Sequence, residues 1–295
     1  MVLDERTKKY LKLFAVLAFV FVFAGCARNL DSNGKLIAER AITSSTPWTP
    51  AAGLFDFLLV IPIAKGIIAL AGLTGNVLWG VIILTILINI LILPIMIKST
   101  VSSQKMQLIQ PELEKLQEKY RGRNDQASQL RMQQEMQQIY QKNNVSMLGG
   151  FASFLTLPIM FAMWQAVQRV ELLYSSTAFG MNLGVTPMSQ LGKNWAYIVL
   201  IAVMAITQFL SVEINNIMLK RSQKGKRAQQ SKQAGSMKTM SITMTIMIVY
   251  FGLIMPTAMS FYWITTSIIT IIRTIYIQFN YIEKEEKEKQ KRVIR

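Results

Sequence analysis

Histidine is absent from this 295-residue chain, and cysteine occurs once, at Cys26. Without them there is no intramolecular disulfide, no zinc site of His and Cys ligands, and no nucleophilic triad built on an imidazole base. Aspartate is scarce as well. Asp4, Asp31, Asp56 and Asp125 are the whole set, and only Asp56 falls in a long apolar stretch, near its start. A pair of intramembrane aspartates sharing a proton, as an aspartyl protease needs, is thereby excluded. The chain is not expected to be an enzyme, and no cofactor or metal is expected with it.

What it has in abundance is apolar length and positive charge. Hydrophobic residues make up 52% of the chain and its formal net charge is +16. Several apolar runs exceed about eighteen residues, the length that identifies membrane-spanning helices. The clearest is Val77–Ile97, VLWGVIILTILINILILPIMI, whose only polar members are Thr85 and Asn89. At ~1.5 Å per residue this run makes about 31 Å of helix, enough to cross the hydrocarbon. Thr85 and Asn89 stand four apart and share one face. An amide facing lipid tails costs several kcal/mol, so this face looks at protein or water. It either glues two helices together or lines a wet cavity.

Near the N-terminus, Arg6, Lys8, Lys9 and Lys12 precede the apolar run Leu13–Phe23, followed by Ala24-Gly25-Cys26. A basic start, a short apolar core and small residues at the cut make a secretory signal, read here as residues 1–25. Cys26 after Ala-Gly resembles the lipobox of bacterial lipoproteins. That resemblance implies a mature N-terminus carrying fatty acyl chains such as palmitate on Cys26. The other reading is an uncleaved signal anchor with a buried cysteine. Residues 26–53, with Thr46-Pro47-Trp48-Thr49-Pro50, read as an extended extracytoplasmic linker. Leu54–Leu73 is apolar but holds Asp56, Pro62 and Lys65, and reads as an amphipathic helix lying along the outer interface.

Lys98 opens a polar stretch that runs to Asn144. Met106, Ile109, Leu113, Leu116 and Tyr120 follow helical spacing, Arg121-Gly122-Arg123-Asn124-Asp125 interrupts it, and Met132, Met136 and Ile139 resume it. The pattern predicts an antiparallel helical hairpin over 98–144, projecting from the membrane. Four more spans follow at about 147–173, 195–219, 240–255 and 259–279, giving five transmembrane helices in an all-α membrane protein. Segments 98–146, 217–240 and 280–295 carry 8, 7 and 6 Lys/Arg, against 4 and 2 in 27–76 and 169–194. Basic loops stay inside, so the hairpin, the loop Lys220–Lys238 and the charged tail 281–295 are expected in the cytoplasm.

A helical hairpin between the first two spans is unusual, and here the chain resembles a known family. Leu91–Tyr120, LILPIMIKSTVSSQKMQLIQPELEKLQEKY, resembles the end of the first core helix and the hairpin of the YidC/Oxa/Alb membrane-protein insertases. Gly149-Gly150 leading to Pro158, and Met255–Trp263, MPTAMSFYW, are similar to its second and fifth core helices. The likeness covers about residues 54–280, and the lipoprotein-like start resembles the branch without a large extracytoplasmic domain. It implies a bacterial cell-membrane protein with a hydrophilic groove, open to cytoplasm and lipid, that takes the polar part of a nascent membrane protein. Such a groove lowers the cost of moving a polar tail across hydrocarbon.

The groove and client-binding residues expected from the sequence are Thr85, Asn89, Thr156, Gln165, Trp263, Thr266, Thr270 and Arg273. The chain departs from the family at two of them. The arginine usual midway along the first core helix falls on Asn89, and the glutamine usual two residues before the proline falls on Thr156. Span five offers a substitute: Thr266, Thr270, Arg273 and Thr274 form a polar stripe on one helix face. An arginine at that depth either lines water and pairs, with Glu213 as candidate partner, or snorkels to the headgroups. Lys220, Arg221, Lys224, Lys226 and Arg227 suit anionic lipid or ribosomal RNA, without base-reading motifs. The expected partners are nascent membrane proteins, phospholipid and the ribosome, with the Sec translocon as a further candidate. The competing class is a small secondary transporter or channel. Its internal repeats are not visible here, and the hairpin has no place in it.

Overall fold

The computed structural model describes residues 29, 36–123, 125–143, 145, 156–222 and 232–284. Cys26, the whole signal-like segment, residues 146–155, Lys224, Lys226 and Arg227 lie outside them. Among the described residues four helices are long and apolar enough to cross a membrane: Asp56–Thr74, Val77–Met106, Trp195–Met218 and Thr257–Ile282. A shorter apolar helix covers Ser241–Ile254.

A π-turn at Asp56–Val60 runs straight into α1 (Ile61–Thr74). Gly75, at φ 73°, ends α1 in the left-handed conformation that glycine adopts freely. Asn76 then opens α2 (Val77–Lys119), its side-chain oxygen accepting the Leu78 N–H at 2.8 Å. The two helices pack side by side in opposite directions. Gly80 lets them approach, since a Cβ there would lie 2.6 Å from the Ile67 carbonyl oxygen, and Gly66 faces Leu84. The helix expected along the interface is thus also long enough to span, and it runs beside the first turns of α2.

The first span and the first arm of the hairpin are one helix. α2 continues for 43 residues, about 65 Å, through Pro94 and Pro111. Each proline removes one intrahelical donor, but it weakens a helix without ending it where packing holds both flanks. Beyond the turn at Gly122 (φ 82°), Asp125 caps α3 (Gln126–Lys142) by accepting the Ser128 N–H at 2.8 Å. α3 folds back on α2. Ile109, Leu113 and Val145 are buried together, with Met106, Met136, Ile139 and Tyr140 packed around them. Leu116 and Tyr120 are buried too, so the helical stripe read from the sequence is the hairpin's inner face. Near the tip, Lys119 meets Glu135 at 2.7 Å and the Tyr120 hydroxyl donates to the same carboxylate at 2.9 Å. These hydrogen bonds hold the Glu135 carboxyl below, and the Lys119 ammonium above, their ordinary values.

α4 (Thr156–Arg169) falls within the stretch read from the sequence as the second span. A short α5 (Leu172–Ser175) leads to β1 (Thr177–Ala178) and β2 (Met181–Asn182), paired antiparallel through Phe179 and Gly180. α6 (Trp195–Ser222), α7 (Lys232–Ile254) and α8 (Thr257–Ile277) complete the bundle, and α8 passes into a second π-turn, Gln278–Ile282. Lys220 and Arg221 fall in the last turn of α6.

The loop between α5 and α6 caps one end of the bundle. The Asn76 amide donates to the Thr177 carbonyl at 3.1 Å, and Asn194 donates to that of Gly180 at 2.9 Å. Thr257 and Ala258, opening α8, give their N–H groups to Val185 and Leu183. At this capped end α2, α6 and α8 begin and α4 finishes. The hairpin extends from the opposite end of α2.

Residues 36–53, expected as an extended linker, form no long element, only 3-10 turns at Ala38–Arg40 and Pro50–Ala52, and they do not hang free. Ile42 is fully buried and exchanges backbone bonds with the end of α4, its N–H going to Arg169 and its C=O receiving Glu171. An apolar side chain in an otherwise polar segment gives the strap its anchor.

Candidate functional site

Five helices enclose a cavity of about 370 Å³, roughly the liquid volume of a dozen waters. α2 brings Thr85, Asn89, Ile92 and Met96 to it, and α4 brings Leu157, Met160 and Met163. From α6 come Gln208, Ser211 and Asn215, and from α7 Ile248. α8 adds Tyr262, Trp263, Thr266, Ser267, Thr270 and Arg273.

Six of the residues expected from the sequence therefore meet in one space: Thr85, Asn89, Trp263, Thr266, Thr270 and Arg273. Thr156 opens α4, whose next residue Leu157 lines the cavity. Gln165 does not belong to the cavity. It is buried on the far side of α4, where its side-chain oxygen accepts from the Asn29 amide. Met163 faces the groove, and two residues further on means about 200° around a helix, which turns Gln165 away.

The same arithmetic separates Glu213 from Arg273. Ser211 and Asn215 face the cavity, so Glu213, two residues from each, faces α7. There its carboxylate accepts from Asn216 at 2.9 Å, and Asn216 also reaches Ser241 at 3.4 Å. The α6 side chain nearest the arginine's turn is instead Asn215, whose oxygen accepts from the Thr274 hydroxyl at 3.5 Å.

The polar groups of the groove are mostly tied to their own helices. The Thr85 hydroxyl donates to the Val81 carbonyl at 2.7 Å, the Asn89 amide to that of Thr85 at 2.8 Å, and the Thr266 hydroxyl to that of Tyr262 at 2.9 Å. Such back-bonding satisfies donors in an apolar setting and leaves oxygen lone pairs for water or a peptide. Ser267 donates to the Gln208 side-chain oxygen at 2.9 Å and, with the Thr274–Asn215 bond, ties α8 to α6 along the groove wall.

Arg273 is the only charged side chain among the described lining residues, and its buried Nε has no hydrogen-bond partner among the described residues. A fixed cation beside low-dielectric walls attracts carboxylates far more strongly than it does in water. The site thus holds hydrogen-bonding oxygens, amides and one cation, but no nucleophile with a base beside it. Such a lining can receive a polar chain.

Toward the capped end the cavity stops. Leu78 and Val81 of α2, Ala166 and Val167 of α4, Met204 of α6, and Ala258 and Met259 of α8 are almost completely buried in a single apolar core with Ile61 and Ile67 of α1.

Residues 69–285 match the family described as 60Kd inner membrane protein. A protein of Bacillus anthracis named membrane protein insertase YidC 2 is 34% identical over 275 residues, 92% of this chain and 94% of that protein. One of Listeria innocua with the same name is 31% identical over 283 residues, 95% of this chain and 87% of its own length. Membrane protein insertase MisCA of Bacillus subtilis is 31% identical over 274 residues, 92% of each chain.

Proposed function

The chain belongs to the YidC/Oxa/Alb family of membrane-protein insertases, and from that premise we infer that it inserts membrane proteins through the groove. The polar segment of a nascent chain enters the cavity from the hairpin side, meeting Thr85, Asn89, Gln208, Thr266, Thr270 and Arg273. The adjoining apolar segment moves sideways into lipid. Holding polar backbone in a wet, polar groove removes much of the desolvation cost of crossing about 30 Å of hydrocarbon. The observation that carries this reading is a polar groove with one cation, sealed toward one end by apolar side chains.

In this reading the hairpin, the basic loop and the tail lie in the cytoplasm, and the capped end faces outward. α2, α4, α6, α7 and α8 cross the bilayer, and α1 packs at their outer edge. Cys26 carries the lipid anchor, which an intact-mass measurement of the mature protein reads directly. Lys220, Arg221, Lys224, Lys226 and Arg227 meet anionic headgroups and ribosomal RNA during co-translational insertion, with the Sec translocon as a further partner.

Liposomes containing only this protein test the function. An insertase protects a short single-span client from added protease. A transporter or channel, the competing class, instead moves small solutes and leaves the client digested.

A further inference from the structure

Behind the apolar seal lies a buried polar network that the groove itself does not use. Arg169, the last residue of α4, has a side chain only 11% exposed and pairs with Asp56, 24% exposed, at 2.5 Å. Its Nε donates to the Arg40 carbonyl at 2.8 Å, and its own C=O receives the Ile42 N–H. One turn back along α4, Gln165 and Gln168 both accept from the Asn29 amide. The Tyr174 hydroxyl donates to the Gln168 carbonyl at 3.0 Å. Burial pushes that phenol up to about 12, so it remains a neutral donor.

Three segments far apart in sequence therefore meet on one guanidinium: the strap at 40–42, the π-turn before α1, and the end of α4. Arg169 stands six residues, about 9 Å, along α4 beyond Met163, the last residue of that helix to line the cavity. Between them Ala166 and Val167 are fully buried in the seal.

A buried ion pair adds little net stability over an apolar pair of the same shape, because desolvation offsets the attraction. Its distinctive property is that separating the charges is strongly penalised. An apolar contact between α1 and α4 tolerates sliding, whereas a guanidinium fixed on a carboxylate and a carbonyl allows one register. On the proposed path, a client in the groove meets this seal from the groove side.

We propose that Asp56 and Arg169 form a latch that holds α1 and the strap against α4 and keeps the capped end of the groove shut while a client occupies it. Both are positioning residues and neither touches the client. This rests on the groove being the client's path.

The test uses Ala166→Cys, a reporter inside the seal, in the full-length chain in intact cells, with a membrane-impermeant maleimide added outside. The parent chain, whose sole cysteine is Cys26, gives the background. Ala166→Cys alone stays unlabelled. Adding Asp56→Asn or Arg169→Gln raises the labelling rate about tenfold or more, and the exchange Asp56→Arg with Arg169→Asp brings it below either single variant. If the single variants do not accumulate, Arg169→Lys keeps the charge but loses the bond to Arg40, and gives an intermediate rate. A merely stabilising pair would lower the melting temperature and leave labelling at growth temperature unchanged. That result, or equal labelling of the exchanged and single variants, overturns the latch. Labelling of Thr270→Cys in inverted vesicles tests the groove separately, so failure of the groove reading is distinguishable from failure of the latch.

Discussion

Arg273 is the residue on which the chemistry of the groove turns. It lines the cavity from α8, as Asn89 does from α2, where the family resemblance led the sequence reading to expect an arginine. The account gives the cation's role to Arg273, with Thr266 and Thr270 keeping its surroundings polar. Arg273→Ala should lower insertion of clients with acidic translocated tails about tenfold, the scale of one lost charge-assisted hydrogen bond, and Arg273→Lys should be milder. Asn89→Arg added to Arg273→Ala should recover part of the activity. A snorkelling arginine predicts small effects and no rescue, and reconstituted insertion with matched protein levels separates the two. Most of the groove was legible residue by residue, because a threonine or amide in a long apolar run has few places to point. Ser211 and Asn215 were missed although their spacing from Gln208, three and seven residues, is the same signal. Glu213 and Gln165 were singled out as polar residues on long helices, without regard to the face each occupies. Rotation about the helix axis, 100° per residue, then turned both away.

Two pairs of elements set the shape around the groove. α1 and α2 touch through Gly80, where an added Cβ would sit 2.6 Å from the Ile67 oxygen and 3.1 Å from the Ala71 nitrogen. Gly80→Ala should therefore push the helices apart and cost about 1–3 kcal/mol, read as a lower melting temperature in detergent. An unchanged melting point would mean that the approach is not needed. α2 and α3 form the hairpin, whose inner stripe the sequence disclosed through its helical spacing. The length of α2 was not disclosed: a rise in polarity at Lys98 marks where the membrane ends, not where the helix ends. The hairpin's few buried side chains are its own and none is shared with the core of the bundle. Its methionines suit varied surfaces, which fits contact with clients or partner machinery. Deleting residues 121–125 should thus leave the bundle's melting temperature unchanged while altering insertion, and a large drop in melting temperature would contradict this division. The Lys119–Glu135 pair lies at the surface, its side chains 56% and 37% exposed. Because Glu135 is held below its ordinary value near 4.5, its tie is present above that pH and is lost as pH falls through the lowered value.

At the scale of the whole molecule, the chain is a helical membrane protein whose groove is built from side chains of five helices and shut at one end. Composition alone announced the membrane, since no other solvent accepts apolar runs of this length. The docked strap was not visible, because the contact of Ile42 and Arg40 with Arg169 depends on residues more than a hundred positions away. The central claim is that polar client segments travel through this cavity and not through lipid or another chain. Site-specific photo-crosslinking measures that directly, with a photoreactive residue placed at Thr266, inside the groove, or at Ile272, which is exposed on α8. With a ribosome-stalled single-span client, the account predicts that position 266 captures the polar tail and position 272 captures at most the apolar segment. Efficient insertion with no tail crosslink at 266, or equal capture of the tail at 272, would contradict it.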